Sequence, residues 1–286
     1  MIPQANITAW RRVVPWADDA QVEQDLVLSR ATVELFTDPL LAGRIALRGG
    51  TALHKLVVEP PYRYSEDIDL VQTEAAPIGL ILDAVRATLD PWLGKPTRDR
   101  GPGNVTLKYR FDSEIAPVRP LRLKIEINTR EHFALNGLQR RTLAVQNPWF
   151  TGGCEIVTFA NNELMGTKLR ALYQRRKGRD LFDLWLCLEQ HLIDPPDVVV
   201  CFLEYMQREG HGITRAQFEQ NLHEKEQDRA FMNDIGPLLR PGLGYDSTSA
   251  MSMVRKSLIE LLPGDPWRSP DEDPQSPSPR RRRKRG

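Results

Sequence analysis

The chain has 286 residues, 41% hydrophobic and 27% charged, with 39 Lys and Arg against 38 Asp and Glu. This is ample material for one large globular domain or two ordinary ones. No run of about 18 apolar residues occurs, and the polar N-terminus MIPQANITAWRRVV lacks a signal peptide's apolar stretch, so membrane spanning and secretion are both disfavoured.

The near-zero net charge is uneven: residues 263–286 hold seven Arg/Lys and four Asp/Glu, leaving 32 basic against 34 acidic residues elsewhere. A nucleic-acid partner would therefore be held by a local basic patch and not by overall charge. Cys154, Cys187 and Cys201 have neither CxxC nor Cys/His ligand spacing, so a disulfide framework or zinc site is not expected and a reducing cytoplasm fits best.

From Val22 to Phe36 the apolar positions Leu26, Val27, Ala31, Leu35 and Phe36 predict a helix. IALRGGTALHKLV then reads as a strand, a glycine turn and a helix start. Pro60 and Pro61 end that helix, and Ile68, Leu70 and Val71 make DIDLV a short strand. Residues 78–93 are helical in period up to Pro91, and GPGN at 101–104 is a loop before the strand VTLKYRF.

In LRLKIEIN (121–128), Leu121, Leu123, Ile125 and Ile127 point one way, and Arg122, Lys124, Glu126 and Asn128 the other. From Thr158 onward, NNELMGTKLRALYQRR and GRDLFDLWLCLEQH read as amphipathic helices, which puts a boundary near 150–160. The tail from Pro263, rich in proline and ending in RRRRKR, cannot bury enough apolar surface to fold and is expected to be disordered.

The residues with chemical promise are Gly49, Gly50 and Thr51, followed by Asp67 and Asp69. Two glycines and a hydroxyl at a helix N-terminus let a backbone approach the β/γ-phosphates of a nucleotide, and Ser65 offers a second hydroxyl. Strand alternation puts Asp67 and Asp69 on one face, where carboxylates suit hard cations such as Mg²⁺ or Mn²⁺. Two-metal phosphoryl or nucleotidyl transfer needs ions about 3.5–4 Å apart, and Glu126, on the polar face of a later strand, is the candidate third ligand or base.

Lys168, Arg170, Arg175, Arg176, Lys177 and Arg179 fall within twelve residues. Arg170, Arg175, Arg176, Lys177 and Arg179 are the candidate RNA contacts. His54, His132, His191, His211 and His223 form no HxxxH or HExxH pattern and read as structural or surface residues.

LRGGTALHK, YRYSEDIDL, LKIEIN and ELMGTKLRALYQRRKGRDLFDLW, in this order over residues 47–185, resemble the AbiEii/AbiGii nucleotidyltransferase toxins of the DNA polymerase β-like superfamily. The resemblance implies an α/β (α+β) fold. With the boundaries read above, the chain divides into a nucleotidyltransferase domain with a small mixed sheet (1–155), a mainly helical C-terminal domain (156–262) and the tail (263–286), which is not part of the resemblance. It implies a lysine on the first of the paired helices, Lys168, which also contacts nucleotide, and an aspartate on the second, Asp180 or Asp183. It further implies a cytoplasmic toxin of a toxin–antitoxin or phage-defence pair, with NTP as substrate, a tRNA acceptor end as target, and a cognate antitoxin protein or RNA-binding regulator as partner. Two competing readings are a transferase acting on a protein or small-molecule hydroxyl, and an NTP- or RNA-binding module without turnover.

Overall fold

β1 (Ile45–Arg48) and β2 (Asp67–Gln72) run antiparallel at the centre of a seven-stranded mixed sheet, with Arg48 opposite Asp69. Each also has a parallel neighbour: β5 (Pro120–Asn128) lies beside β2, and β7 (Phe150–Phe159) beside β1. Antiparallel partners extend both edges, β4 (Asn104–Asp112) and β3 (Thr97–Gly101) beyond β5 and β6 (Leu138–Asn147) beyond β7. The order is thus β3-β4-β5-β2-β1-β7-β6 in the computed structural model, which describes residues 2–268.

This sheet is larger than the small one the sequence suggested. The unanticipated strands lack clear alternation: β3 reads TRDRG and is exposed along its length, β6 is polar over its first half, and β7 opens with FTGGC. In β2 and β5 the alternation holds, with Ile68, Leu70, Leu123, Ile125 and Ile127 buried and the intervening polar residues on the other face.

α2 (Asp19–Thr37) is buried on nearly every side, because it packs on the sheet while α1 (Gln4–Trp10) and α5 (Gly79–Leu93) pack on α2. Leu26, Val27, Ala31, Leu35 and Phe36 are all in the core. Its buried carboxylate Asp25 accepts from the indole N–H groups of Trp10 (2.9 Å) and Trp16 (3.1 Å) and from Lys55 Nζ (2.7 Å). Lys55 lies on α4 (Gly49–Leu56), reached from α2 through α3 (Pro39–Ala42) and β1. α5 continues two residues past Pro91, which sits in its last turn and forgoes the bond to the Ala87 carbonyl.

After β7 the chain is helical: α6 (Asn161–Gln174), α7 (Gly178–Glu189), α8 (Pro195–Arg208), α9 (Arg215–Glu226), α10 (Arg229–Asn233) and α11 (Ser247–Ser257). No helix among the described residues is long and apolar enough to cross a membrane. The first residues of the expected tail are docked: Pro263 O accepts from Arg215 N, and Trp267 N donates to Glu219 (2.7 Å) with its ring beside His223. The rest of that tail, including the arginine run, lies outside the described residues.

Sheet and helices are joined through Glu131, which accepts from Arg48 at the end of β1 and from Arg170 on α6 (2.8 Å). Burial pushes this carboxyl up, but the two guanidiniums outweigh it and hold Glu131 at about 2, below its usual 4.5. A depressed carboxylate adds stability that is present above the unfolded value and is lost as pH falls through the folded one. Between pH 4.5 and 2 the protein should lose on the order of 2–3 kcal/mol from this contact. Glu131→Gln should be less stable at pH 7 and show a flatter acid limb, which urea midpoints measured from pH 2 to 7 would register.

Candidate active site

Gly49 opens α4 at φ 78°, and a Cβ there would stand 2.2 Å from Asp69 Oδ2. A Cβ on Gly50 would meet Arg63 Nη2 at 2.3 Å and Ser65 Oγ at 3.0 Å. The two glycines therefore let the turn close onto a carboxylate and a guanidinium at once. Thr51 is fully buried, donating to the Asp67 carbonyl (2.5 Å) and lying 3.0 Å from Ser65 Oγ. Its hydroxyl holds the start of β2, and it is Gly50 and Ser65 that line the cleft.

Asp67, Asp69 and Glu126 share one sheet face. In the parallel β2/β5 register Asp69 is the partner of Glu126, and Asp67 of Lys124. The Lys124 ammonium stands between two of the acids, 2.9 Å from Glu126 Oε2 and 3.5 Å from Asp67 Oδ2. Asn104 Nδ2 also reaches Glu126, at 3.3 Å.

Burial raises Asp67 to about 6, with Lys124 offsetting part of the rise and Asp69 and Glu66 adding to it. Burial also pushes Glu126 up, but the hydrogen bond and charge of Lys124, with Asn104 and Arg48, together outweigh this and keep it below the ordinary carboxylate range. Asp67 Oδ1 is buried without a hydrogen-bond partner. An orphaned carboxylate oxygen beside two more hard-oxygen donors fits a divalent cation. Among the described residues no three such groups are already gathered closely enough to cage an ion; Lys124 is paired to both Asp67 and Glu126.

Beneath this cleft lies a buried ionic network. Asp183, fully enclosed, accepts two 2.6 Å bonds from the Arg63 guanidinium, lies 3.1 Å from His54 Nε2 and 2.9 Å from Lys168 Nζ. Asp180, also enclosed, takes two bonds from Arg175 (2.7 and 2.9 Å) and lies 3.3 Å from Lys168 Nζ. Burial alone would raise both acids, yet Arg63 and Lys168 at Asp183, and Lys168 and Arg175 at Asp180, hold them low. His54 is driven down to about 4, first by burial and then by Arg63, and is neutral near pH 7. Asp180 and Asp183 thus face cations inside the protein, while Arg63, Lys168, Arg175 and Arg179 reach the cleft wall.

The basic run of α6 and α7 does not form one free face. Arg170 is buried between Glu131 and Glu209, Arg176 faces Glu224 and Asp228, and Lys177 faces Asp234. Arg175 is tied to Asp180, and Arg179 stands 4.0 Å from Glu66. Lys124 and His54 were not among the expected site residues. Lys124 shares Glu126's alternation and so carried a readable signal; Arg63 and His54 meet Asp183 across 120 and 129 residues, which no local pattern reveals.

A family model described as nucleotidyl transferase AbiEii toxin, type IV toxin–antitoxin system, matches residues 32–249. Among solved structures, the nucleotidyltransferase toxin MenT4 from Mycobacterium tuberculosis H37Rv superposes with a TM-score of 0.64 at 18% identity, covering 93% of this chain and 91% of that one. A protein from H. pylori described as a nucleotidyltransferase gives 0.50 at 16% identity, covering 86% and 100%. These likenesses establish the shared fold. No curated protein sequence matches the chain.

Frame and cleft carboxylates should separate in stability measurements. Asp183→Ala strands the buried Arg63 and Lys168 without their shared counterion and should cost roughly 3–5 kcal/mol. Asp69 makes no ion pair or side-chain hydrogen bond among the described residues, so Asp69→Ala should stay within about 1 kcal/mol. Urea denaturation at pH 7 compares the two; equal losses would contradict the division.

Proposed function

For a chain that belongs to the AbiEii family of nucleotidyl transferase toxins of type IV toxin–antitoxin systems, we propose transfer of a nucleoside monophosphate from an NTP to the 3′ end of a tRNA, in the cytoplasm and countered by a cognate antitoxin. One arrangement carries the reading: Asp69 and Glu126 are register partners on parallel strands, Asp67 is two residues away on the same face, and Gly50, Lys168, Arg175 and Arg179 line the same cleft.

Backbone N–H groups of the glycine turn bind triphosphate oxygens, and Lys168, Arg175 and Arg179 neutralise them. Asp67, Asp69 and Glu126 are the residues to hold Mg²⁺ or Mn²⁺, which when bound supplies charge stabilisation for the attacking and leaving oxygens. Lys124, lodged between Asp67 and Glu126, marks where positive charge is already accommodated.

The acceptor hydroxyl passes its proton to Glu126 and attacks the α-phosphorus. The bond from that phosphorus to the oxygen bridging to the β-phosphate breaks, and pyrophosphate departs. Asp180 and Asp183 are positioning residues in this scheme: they fix Lys168, Arg175 and Arg63 and touch no substrate.

Purified protein incubated with each labelled NTP, Mg²⁺ and total RNA should release pyrophosphate and label tRNA. Asp69→Ala and Glu126→Ala should each lower both signals by at least about 100-fold. Gly49→Ala, which forces Asp69 aside, should lower them by at least about tenfold. Label entering protein or a small alcohol would replace the acceptor, and NTP binding without pyrophosphate release would leave a binding module only.

A further inference from the structure

The sheet face carrying Asp67, Asp69 and Glu126 continues along β5 and β4. On β5 it presents Arg122, Lys124 and Glu126, and on β4 Asn104, Thr106, Lys108 and Arg110, ending at Asp112. The register sets Lys108 directly opposite Lys124 and Arg110 directly opposite Arg122. Like charges facing each other across neighbouring strands destabilise a sheet, and here two such pairs are consecutive on one face. Lys124 is answered by Glu126 and Asp67, and Lys108 by Asp99 at 2.5 Å. Arg110 and Arg122 are exposed and have neither an ion pair nor a side-chain hydrogen bond among the described residues.

A cationic strip therefore leads away from the carboxylates, its outer pair without an internal partner. Same-face residues on a strand stand about 6.8 Å apart, so the strip suits an extended polyanion with regularly spaced charges. We propose that Arg110 and Arg122, with Lys108, hold the phosphodiester backbone of a single-stranded nucleic-acid 3′ end and bring its terminal hydroxyl to Glu126. This rests on reading the cleft as a nucleotidyl-transfer site and adds where the acceptor lies. Arginine is suited to the task because its planar fork pairs with phosphate through two bonds. Triphosphate and acceptor then meet separate sources of positive charge, α6 and α7 for the first and β4 and β5 for the second.

The test uses binding, so that it does not depend on turnover. In full-length protein carrying Asp69→Asn, Arg110→Ser with Arg122→Ser is compared with Arg98→Ser with Arg100→Ser. Register pairs Arg98 with Leu107 and Arg100 with Val105, on the opposite face of the same sheet edge, so net charge changes equally. Anisotropy of a fluorescent RNA with a single-stranded 3′ end is followed against salt.

The strip variant should bind about tenfold more weakly near about 100 mM salt, with the logarithmic salt slope shallower by about 1.4 for two lost contacts. NTP affinity should be unchanged, the opposite-face variant should stay within about twofold, and the urea midpoint should not fall. Undiminished RNA binding by the strip variant, the outcome if an acidic protein partner occupies the strip, overturns the proposal, as does equal weakening by the opposite-face variant. Failure of the transfer reading shows elsewhere, as absent pyrophosphate release or unlabelled RNA with the unsubstituted protein.

Discussion

The structure around the cleft depends on the carboxylate of Asp183, where four parts of the chain meet. His54 comes from the helix after the glycine turn, Arg63 from the segment leading into β2, Lys168 from α6, and Asp183 from α7. A charge this enclosed is tolerable only when it is paired and hydrogen-bonded. Satisfying it fixes the distance of α6 and α7 from the turn, and with it the heights of Lys168 and Arg175 above the acidic strands. The Arg63 segment is pinned from its other side, where Arg63 bridges Leu239 and Tyr64 N donates to Leu238 O. Arg63 is thus held between the acid of α7 and the loop before α11, with its guanidinium filling the space that the missing side chain of Gly50 leaves open.

Upon this frame sits a cleft with opposite electrostatics. In the frame each acid faces cations in surplus and its carboxyl is held low; in the cleft, burial dominates at Asp67 and raises it to about 6. A buried acid with an orphaned oxygen is a cost to the fold with no return inside the protein, which is the expected condition of a ligand-binding group. Lys124 relieves part of that cost. The same ammonium also serves Glu126, so one cation is shared between the two acids.

Local order made some of this legible and chain topology hid the rest. The alternation in DIDLV and LKIEIN fixes which faces Asp67, Asp69 and Glu126 occupy, and the glycine pair marks a backbone that must approach something closely, so these could be read residue by residue. The helices beginning at Asn161 and Gly178 showed through their periodicity. β3 and β6 did not, because edge strands with a polar solvent face have no apolar period to display. The density of positive charge between 168 and 179 was visible, but its partners were not: Glu131, Glu209, Glu224, Asp228 and Asp234 arrive from other elements and consume most of it. A sequence shows how much charge a segment carries; only the fold shows how much is left over.

That remainder distinguishes the two basic regions. On α6 and α7 the cations are met by acids, so their work is to join helices to the sheet and line the cleft wall with positive charge already held in position. On β4 and β5 the fold sets cation against cation, and among the described residues nothing quenches Arg110 and Arg122. Apposition of this kind persists in a sheet only if the neighbouring packing outweighs it, and here the reverse face supplies that packing through Leu107, Tyr109, Leu123 and Ile125, all fully buried. The apolar face of these strands thus tolerates a repulsion that the polar face maintains, and it is maintained next to the cleft in which burial keeps Asp67 above the usual carboxylate range.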